Sequence, residues 1–323
     1  MKKAIVLINQ LSEHPTEDEL DVLDQACIIE ESLEHLGYQS ERMFMTLNIH
    51  SVAQQLKQKE PEFVVNLVES LEQDARLIHW APALLEHLNI PFTGCSAQSM
   101  FLTSNKVLTK EWLRSNNLPT ADWFVFDEQN HRDSNKKYIA KPLWEDASVG
   151  ITDANVLVNR KKDIRNFLSN KPIKDWFLEA YIPGREFNVS VLGGKNGPTV
   201  LPLAEIIFEN YPEDKPSIVG YEAKWKEDSF EYKHTVRSFG AETTDPALSE
   251  NIKKICTDCW HRMELKGYAR IDFRIDKNLK PYVLEINANP CLSPDAGFYA
   301  AAQQAGLTFD EVLNHIIFDA LNQ

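Results

Sequence analysis

The most regular alternation of hydrophobic and polar positions lies near the carboxy-terminal end of the chain. Two short segments, 268–275 and 281–287, place apolar residues at every second position, which is typical of strands with one buried face. The polar turn at 276–278 joins them into a predicted hairpin. The positions predicted to face the core are Ile271, Phe273 and Ile275 on the first strand and Tyr282, Leu284 and Ile286 on the second.

The other face of this hairpin gathers Arg270, Asp272, Glu285 and Asn287 on one wall. Two carboxylates and an amide oxygen are hard ligands, which suit a Mg²⁺ ion that holds the phosphates of a nucleotide. The alternative is a half-buried hairpin whose polar face is simply solvated. Because three oxygen ligands and an arginine converge across two strands, we favour a metal–phosphate site.

Elsewhere, the pattern predicts strands and helices in two kinds of arrangement. Strand-like and helix-like segments alternate over about the first hundred residues, which predicts a parallel α/β unit. Short alternating segments further on predict an antiparallel sheet, whereas the polar, aromatic and proline-containing segment 209–238 resembles a long loop. The predicted strands are 3–9, 63–67, 123–126, 138–142, 176–182 and 186–192, and the predicted helices are 19–36, 81–88, 104–116, 248–265 and 309–321.

The composition is that of a soluble globular protein. The 323 residues are 43% hydrophobic and 25% charged, which is enough for two or three domains with their own cores. The net charge of −14 argues against nucleic acid or an anionic membrane as the main partner. No signal peptide or membrane span is evident, so the five cysteines are expected to be reduced thiols in the cytoplasm. Cys256 and Cys259 form a C-x-x-C pair inside a predicted helix, where helix packing explains the spacing better than a metal site.

Basic residues that could meet phosphates precede the hairpin. Lys106 lies in a predicted helix, and Lys141 ends a strand before the small-residue segment 147–150, whose backbone N–H groups could face phosphate oxygens. The spacing of a Walker loop is absent. The strand end at 179–182 could pair with an adenine edge and Glu186 could accept from ribose hydroxyls, although both glutamates could equally be solvent-facing strand residues.

Taken in order, and with the lysine of Tyr221-Glu222-Ala223-Lys224, these features resemble the ATP-grasp ligases over essentially the whole chain. The resemblance is closest to the D-alanine–D-alanine ligase family. It implies an α/β (α+β) fold of three α/β domains, with ATP clamped between the central and carboxy-terminal ones. The implied domains are 1–102, 103–182 and 183–323, the last of them with a mobile loop at 209–238.

The same resemblance implies an ATP-dependent carboxylate–amine ligase that acts through an acyl phosphate on small molecules. It implies two Mg²⁺ ions, for which Mn²⁺ could substitute, and it is compatible with a homodimer. Glu179, Ala180 and Ile182 would hold adenine, and Lys224 would reach the γ-phosphate. Arg270 would face the tetrahedral intermediate. The implied cofactor-binding residues are Lys106, Lys141, Ser148, Glu179, Ala180, Ile182, Glu186 and Lys224, the implied metal ligands are Asp272, Glu285 and Asn287, and the implied catalytic residues are Arg270 and Lys224.

Several positions depart from that family's pattern, and all of them concern the amino-acid substrates. Ala147 replaces the first of two serines, Trp225 replaces a lid tyrosine, and Ala296 replaces a serine that holds the second substrate. We therefore expect a donor other than D-alanine. Two alternatives stay open: a nucleotide-binding protein without turnover, and activation of a carboxylate for a thiol or hydroxyl nucleophile. Cys291 could be read as a nucleophile, but its motif contains no histidine that could activate it.

Overall fold

A parallel sheet forms the amino-terminal part of the chain, of which the computed structural model describes residues 2–145 and 148–322. Strand β1 (Lys2–Asn9) lies between β2 (Tyr38–Met45) and β3 (Phe63–Asn66) and pairs in parallel with both. Parallel neighbours need crossovers, which α1 (Glu17–His35) and α2 (Ile49–Lys59) provide. The predicted parallel unit is confirmed. The pattern does not predict β2 because it is an edge strand with largely polar, partly exposed residues.

Three helices connect this sheet to the next one. They are α3 (Trp80–Leu88), α4 (Ala97–Ser104) and α5 (Lys106–Ser115). The single helix predicted over 104–116 is wrong at its start, because Asn105 has an extended backbone and ends α4. Its side chain accepts a hydrogen bond from the Leu108 N–H and thereby caps α5. Lys106 is therefore the first residue of a new helix.

The central sheet is antiparallel throughout, as predicted. Its strands are β4 (Trp123–Phe124), β5 (Lys137–Pro142), β6 (Val156–Val158) and β7 (Trp176–Ala180), in the order β4-β7-β5-β6. Helix α6 (Lys161–Leu168) covers it with Ile164 and Leu168, which join a core with Ala140 and Leu178.

The carboxy-terminal sheet carries the predicted hairpin. The strands are β8 (Arg185–Leu192), β9 (Thr199–Val200), β10 (Ala204–Phe208), β11 (Thr235–Phe239), β12 (Tyr268–Ile275) and β13 (Pro281–Asn287). They pair antiparallel in the order β11-β10-β8-β12-β13, and β9 also pairs with β8. Because β12 lies between β8 and β13, its polar side chains have neighbours on both sides.

The loop predicted over 209–238 is wrong in part. This segment contains α7 (Tyr221–Trp225), α8 (Phe230–His234) and the first residues of β11. Its short helices lack an apolar periodicity of their own. The helices that follow are α9 (Ala241–Thr244), α10 (Pro246–Arg262), α11 (Gly297–Gln304) and α12 (Phe309–Leu321).

Two large cores organise these elements. One face of the carboxy-terminal sheet packs on α10, where Cys256 and Cys259 are fully buried, so helix packing does explain their spacing. The second core joins α1 and the amino-terminal sheet to α11 and α12. The two ends of the chain are therefore held together by apolar contacts. No helix within the described part of the chain is long and apolar enough to cross a membrane.

Candidate active site

The hairpin brings its predicted polar residues together. In the register of β12 and β13, Arg270 lies opposite Asn287 and Asp272 lies opposite Glu285. Directly opposite residues of an antiparallel pair project from the same face. The predicted wall therefore exists, and β8 extends it, because Asn188 lies opposite Asp272 and Ser190 opposite Arg270.

A β-bulge interrupts the hairpin next to this wall. After the pair of Asp272 and Glu285, the register shifts so that Phe273 lies opposite Val283 and Leu284 is the extra residue. Val283 is fully buried in the core, whereas Leu284 is only half-buried. The predictions that Leu284 and Tyr282 face the core are therefore wrong, because simple alternation does not continue through a bulge and Tyr282 lies opposite Arg274 on the polar face.

Opposite charges neutralise each other along the wall. Arg270 donates to both carboxylate oxygens of Asp272 at 2.8 Å, and its guanidinium lies 3.9 Å from Glu285. Lys106, at the start of α5, donates to the other oxygen of Glu285 at 2.8 Å. A bidentate arginine–carboxylate pair is a strong, charge-assisted contact. The wall is therefore ordered by ion pairs from two different parts of the chain.

The two carboxyls of the wall differ in their pKa values. Burial raises the pKa of Asp272 although the paired Arg270 lowers it, and the neighbouring negative charge of Glu285 adds to the rise. Burial would also raise the pKa of Glu285, but Lys106, Lys224 and Lys141 together hold it well below its ordinary value. Glu285 therefore stays ionised, and the positive charge of Lys224 on α7 contributes to this effect.

The donor set of the wall suits a hard divalent cation by its chemistry. Besides the carboxylates of Asp272 and Glu285 it offers the amide oxygen of Asn287, which accepts from the Asn289 N–H at 2.9 Å and so has a fixed orientation. Within the described ranges, no cluster of three or more His, Cys, Asp or Glu side chains could hold a metal ion. The predicted set contains only two such side chains, so its role as a metal site stays a prediction.

Glu179, Lys110 and Lys141 form a buried triad of ion pairs, in which Lys141 is one of the predicted phosphate-binding lysines. The carboxylate of Glu179, on β7, pairs with Lys141 at 2.5 Å and with Lys110 on its other oxygen. Lys110 is 0% exposed and also donates to the Thr120 hydroxyl at 2.8 Å. The solvent-facing alternative for Glu179 is therefore wrong. Lys110 was not predicted as a functional residue, although its i+4 spacing from Lys106 on one helix was the available signal.

Charge balance within the triad keeps Glu179 ionised. Burial would raise the pKa of Glu179, but Lys110 and Lys141 outweigh burial and lower it. Burial lowers the pKa of Lys110. Both lysines engage the side chain of Glu179. An adenine edge would therefore have to meet the backbone at the end of this strand, and not that side chain. There Ala180 donates to the Asp122 carbonyl at 2.7 Å, whereas the Ile182 N–H has no acceptor among the described residues.

Glu186 is also buried, and a second arginine holds it. Arg274 lies opposite Glu186 on the sheet, with its Nε 3.5 Å from the carboxylate. Arg274 also donates to the carbonyls of Gly184, at 3.1 Å, and of Ser217. Burial raises the pKa of Glu186. The solvent-facing alternative is wrong for this glutamate too, and its predicted contact with ribose stays a prediction.

The segment 209–238 is docked over the central sheet. The Ser148 hydroxyl donates to the Val219 carbonyl at 2.8 Å, and the Tyr221 N–H donates to the Ile151 carbonyl at 2.9 Å. Lys215 forms ion pairs with Asp153 and, at 2.5 Å, with Glu231. Ser148 is thus occupied in tying down this segment. The predicted substitution at Ala147 lies outside the described residues.

Cys291 does not have the surroundings of a nucleophile. Its thiol donates to the Asp21 carboxylate at 2.9 Å, and the Ser293 hydroxyl donates to the other oxygen of Asp21 at 2.7 Å. Burial raises the pKa of Cys291 well above its ordinary value, and the negative charge of Asp21 adds to this effect. The contacts fasten the loop after β13 to α1.

Comparison with known proteins places this arrangement in a family. Residues 113–318 match the family model described as D-Ala D-Ala ligase C-terminus. The chain is similar to an uncharacterized protein of Sinorhizobium fredii, with 29% identity over 261 residues that cover 79% of this chain and 73% of that protein. It is similar to a D-alanine–D-alanine ligase of a Synechococcus species, with 28% identity over 252 residues, 74% of this chain and 71% of the relative.

The fold agrees with this match. The crystal structure of D-alanine–D-alanine ligase from Bacillus anthracis complexed with ATP has a TM-score of 0.72 to this structure, covering 100% of this chain and 98% of that one at 18% identity. A D-alanyl-alanine synthetase A from Vibrio cholerae gives a TM-score of 0.73 at 18% identity, with 100% and 99% covered. Since the family model spans more than half of the sequence, the chain belongs to the D-alanine–D-alanine ligase family of ATP-grasp enzymes.

Proposed function

We propose that this ATP-grasp enzyme joins an amino-acid-like carboxylate other than D-alanine to an amine, through an acyl phosphate, and releases ADP and phosphate. The observation that carries the proposal is the convergence of cations on Glu285. Lys106 on α5 donates to the Glu285 carboxylate at 2.8 Å, and the charges of Lys141 on β5 and Lys224 on α7 also lower the pKa of that carboxyl. Such a convergence suits an enzyme that must bind a polyanion next to a carboxylate wall.

The chemistry requires this concentration of positive charge. A carboxylate is a poor electrophile because its oxygens cannot leave. Transfer of the γ-phosphoryl group gives an acyl phosphate, which an amine can attack while phosphate departs. Lysines near the transferred group would neutralise its charge, and Arg270 would compensate the oxyanion of the second step. The docked segment 209–238 would exclude water, which otherwise hydrolyses the acyl phosphate.

We assign the nucleotide and metal contacts as follows. Asp272, Glu285 and Asn287 would hold Mg²⁺, which neutralises phosphate charge when bound. The Ile182 N–H would pair with adenine, and Glu186 would accept from the ribose. Lys106, Lys141 and Lys224 would face the phosphates. This assignment agrees with the burial of Glu186 and with the unoccupied Ile182 donor within the described ranges.

The position of Arg270 favours a ligase over a protein that only binds nucleotide. Its guanidinium faces the carboxylate wall beside Asp272 and Glu285, where it can reach a developing oxyanion. A mere binder has no use for that contact. The thiol of Cys291, which is half-buried and hydrogen-bonded to Asp21, likewise gives no support to an enzyme-bound thioester. Activation for an external hydroxyl or thiol remains the second candidate, and it differs only in the acceptor.

The rebuilt substrate positions support a donor larger or more apolar than D-alanine. Trp225 offers an aromatic surface with one indole donor where the family has a tyrosine hydroxyl, and it lies half-buried beside Tyr221. Ala147 removes a second hydroxyl. Each polar group of D-alanine left unpaired would cost about 1–3 kcal/mol. We therefore expect weak or absent D-alanyl-D-alanine formation at millimolar alanine.

Other features of the protein are proposed on similar grounds. Domain boundaries near residues 102 and 182 are supported by the separate hydrogen-bonded sheets on either side of them. The shared core of α1, α11 and α12 supports close packing of the first and last proposed domains. We place the protein in the cytoplasm because of its five unpaired cysteines. A homodimer is compatible with this proposal but nothing in it depends on one.

The test is a screen of donor and acceptor amino acids for ATP-dependent phosphate release, with mass spectrometry of the products. We expect an amide product together with ADP in equal amount. AMP that appears in step with ligation would refute the acyl-phosphate route. If D-alanine gave the highest kcat/KM of all donors, the rebuilt-pocket interpretation would be wrong. Nucleotide binding without turnover for any pair would favour the non-catalytic alternative.

A further inference from the structure

Arg237, on β11, projects from the same face of the sheet as the carboxylate wall. It lies opposite Ile206 on β10, which lies opposite Glu186 on β8, which in turn lies opposite Arg274 on β12. Opposite residues share a face, and so do residues two positions apart on one strand. Arg237 therefore projects on the side of Asp272 and Arg270, although two strands, β10 and β8, lie between β11 and β12 in the sheet.

The guanidinium of Arg237 lies against the first residue of α11. A Cβ built on Gly297 would come within 3.5 Å of its Nη2 atom, so a glycine lets this arginine lie close to the helix. Arg237 is open to solvent, yet partial burial lowers its pKa, the positive charge of Arg270 lowers it further, and Asp295 opposes the shift. The two arginines thus share one side of the site.

Arg237 differs from the other arginines of this sheet in its contacts. Arg185 pairs with Glu205 and Asp245, and Arg274 pairs with Glu186. Among the described residues, Arg237 has neither an ion pair within 4.0 Å nor a hydrogen bond. Arg237 is exposed on the same face of the sheet as the cation of Arg270, and two positive charges on one exposed face are a favourable place for an anion.

The reaction brings a substrate to this place. If Arg270 compensates the oxyanion when the amine attacks, the acceptor must lie beside Arg270. At the same end of α11, Ala296 provides no hydroxyl, and no side chain caps the helix. A carboxylate on the acceptor would need a partner here, and a guanidinium can bind a carboxylate through two parallel hydrogen bonds.

We propose that Arg237 recognises a carboxylate of the amine acceptor, so that the acceptor is an amino acid or a peptide and not a simple amine. This inference rests on the proposed ligase function. Arg237 determines the specificity for the acceptor by binding it. The lysines and the carboxylate wall, and not Arg237, act in phosphoryl transfer. A simple amine offers the two arginines no countercharge, whereas an amino acid does.

The experiment compares acceptors with and without a carboxylate. Wild type, Arg237→Met and Arg237→Lys are assayed with alanine, glutamate and phenylalanine of both configurations and with the amine that corresponds to each by decarboxylation. Arg262→Met, an exposed arginine at the end of α10, controls for the loss of one charge. Saturating ATP and donor isolate the acceptor step.

We expect Arg237→Met to raise the acceptor KM by about 10- to 100-fold, the scale of a charge-assisted hydrogen bond. The KM for ATP and the kcat at saturating acceptor should stay within about twofold. The variant should also lose most of the preference for an amino acid over its amine, and Arg237→Lys should retain part of it. An unchanged acceptor KM, or equal losses for amino acid and amine, would overturn the proposal.

A binding measurement separates this proposal from the ligase function itself. The same amino acids are titrated calorimetrically into wild type and Arg237→Met in the presence of ADP and Mg²⁺. Amino-acid binding that Arg237→Met abolishes supports the assignment even if the enzyme ligates none of them, in which case the ligase proposal alone fails. If wild type turns over amines with the same efficiency as amino acids, or if it binds no amino acid, the assignment to Arg237 is wrong.

Discussion

Replacement of Lys110 by methionine tests whether the buried triad holds the proposed nucleotide site together. Lys110 is 0% exposed and contacts both the Glu179 carboxylate and the Thr120 hydroxyl, which itself donates to the Val283 carbonyl at 2.9 Å. Methionine retains the length and the apolar stem of lysine but removes its charge and its donors. In Lys110→Met, Glu179 keeps only Lys141 as a cationic partner.

The size of the effect follows from burial. Removal of one partner from a buried ion pair typically costs about 3–5 kcal/mol, because the remaining charge is left without compensation. With an unfolding entropy of about 2.1 cal/mol/K per residue over 323 residues, this corresponds to a fall of about 4–7 °C in apparent Tm. Lys141 would also be drawn further towards Glu179 and away from phosphate. We therefore expect the KM for ATP to rise at least about tenfold, with a smaller change in kcat.

Thermal unfolding and steady-state kinetics check both parts of this prediction. Lys254→Met is the matched control, because Lys254 is an exposed residue in the middle of α10 and its replacement removes the same charge. The control should unfold within about 1 °C of wild type with an unchanged KM for ATP. If Lys110→Met behaved like this control, the triad would neither stabilise the fold nor position Lys141. A lower Tm with an unchanged KM would leave Lys110 a purely structural residue.

Two further predictions concern the wall and the loop after β13. Glu285→Gln should keep the fold, as judged by circular dichroism, and lower turnover by at least about a hundredfold, since it removes a major electrostatic contact of the proposed phosphate site. Near-normal product formation would refute the assignment of Glu285. Because burial and Asp21 raise the pKa of Cys291 well above its ordinary value, it stays a thiol at pH 8. Peptide mass spectrometry should therefore find exposed Cys27 alkylated by iodoacetamide in the native protein and Cys291 unmodified, and equal labelling would contradict the raised pKa.

The sequence predicts the wall because strand periodicity is a local property. Once two strands alternate, a hairpin between them places Arg270, Asp272, Glu285 and Asn287 on one face without reference to the rest of the chain. The bulge at Leu284 is different, because one extra residue changes neither composition nor hydrophobicity. It exchanges the environments of Leu284 and Val283, and only the pairing of both strands reveals this.

Contacts between distant segments explain the other differences. Lys110 resembles any helix lysine until α5 is packed against Glu179 and Thr120, which lie elsewhere in the chain. The helices within 209–238 are too short to form alone. They are held by contacts with the central sheet, such as the ion pair of Lys215 with Asp153. The sequence pattern of the segment itself does not predict those contacts.

The ion pairs also indicate how the site can receive a nucleotide. Lys106 is paired with Glu285, Lys141 with Glu179 and Arg270 with Asp272, in a chain whose net charge is −14. Phosphate oxygens can attract these cations only by weakening existing contacts with carboxylates, and a buried carboxylate that loses its partner is costly. Glu179 keeps Lys110 when Lys141 turns to a phosphate, which gives that fully buried lysine a purpose. At Glu285 and Asp272, a divalent cation between the two carboxylates would replace the charge that Lys106 and Arg270 withdraw. Binding of the nucleotide and of the metal should therefore depend on each other, because each supplies the charge that the other displaces.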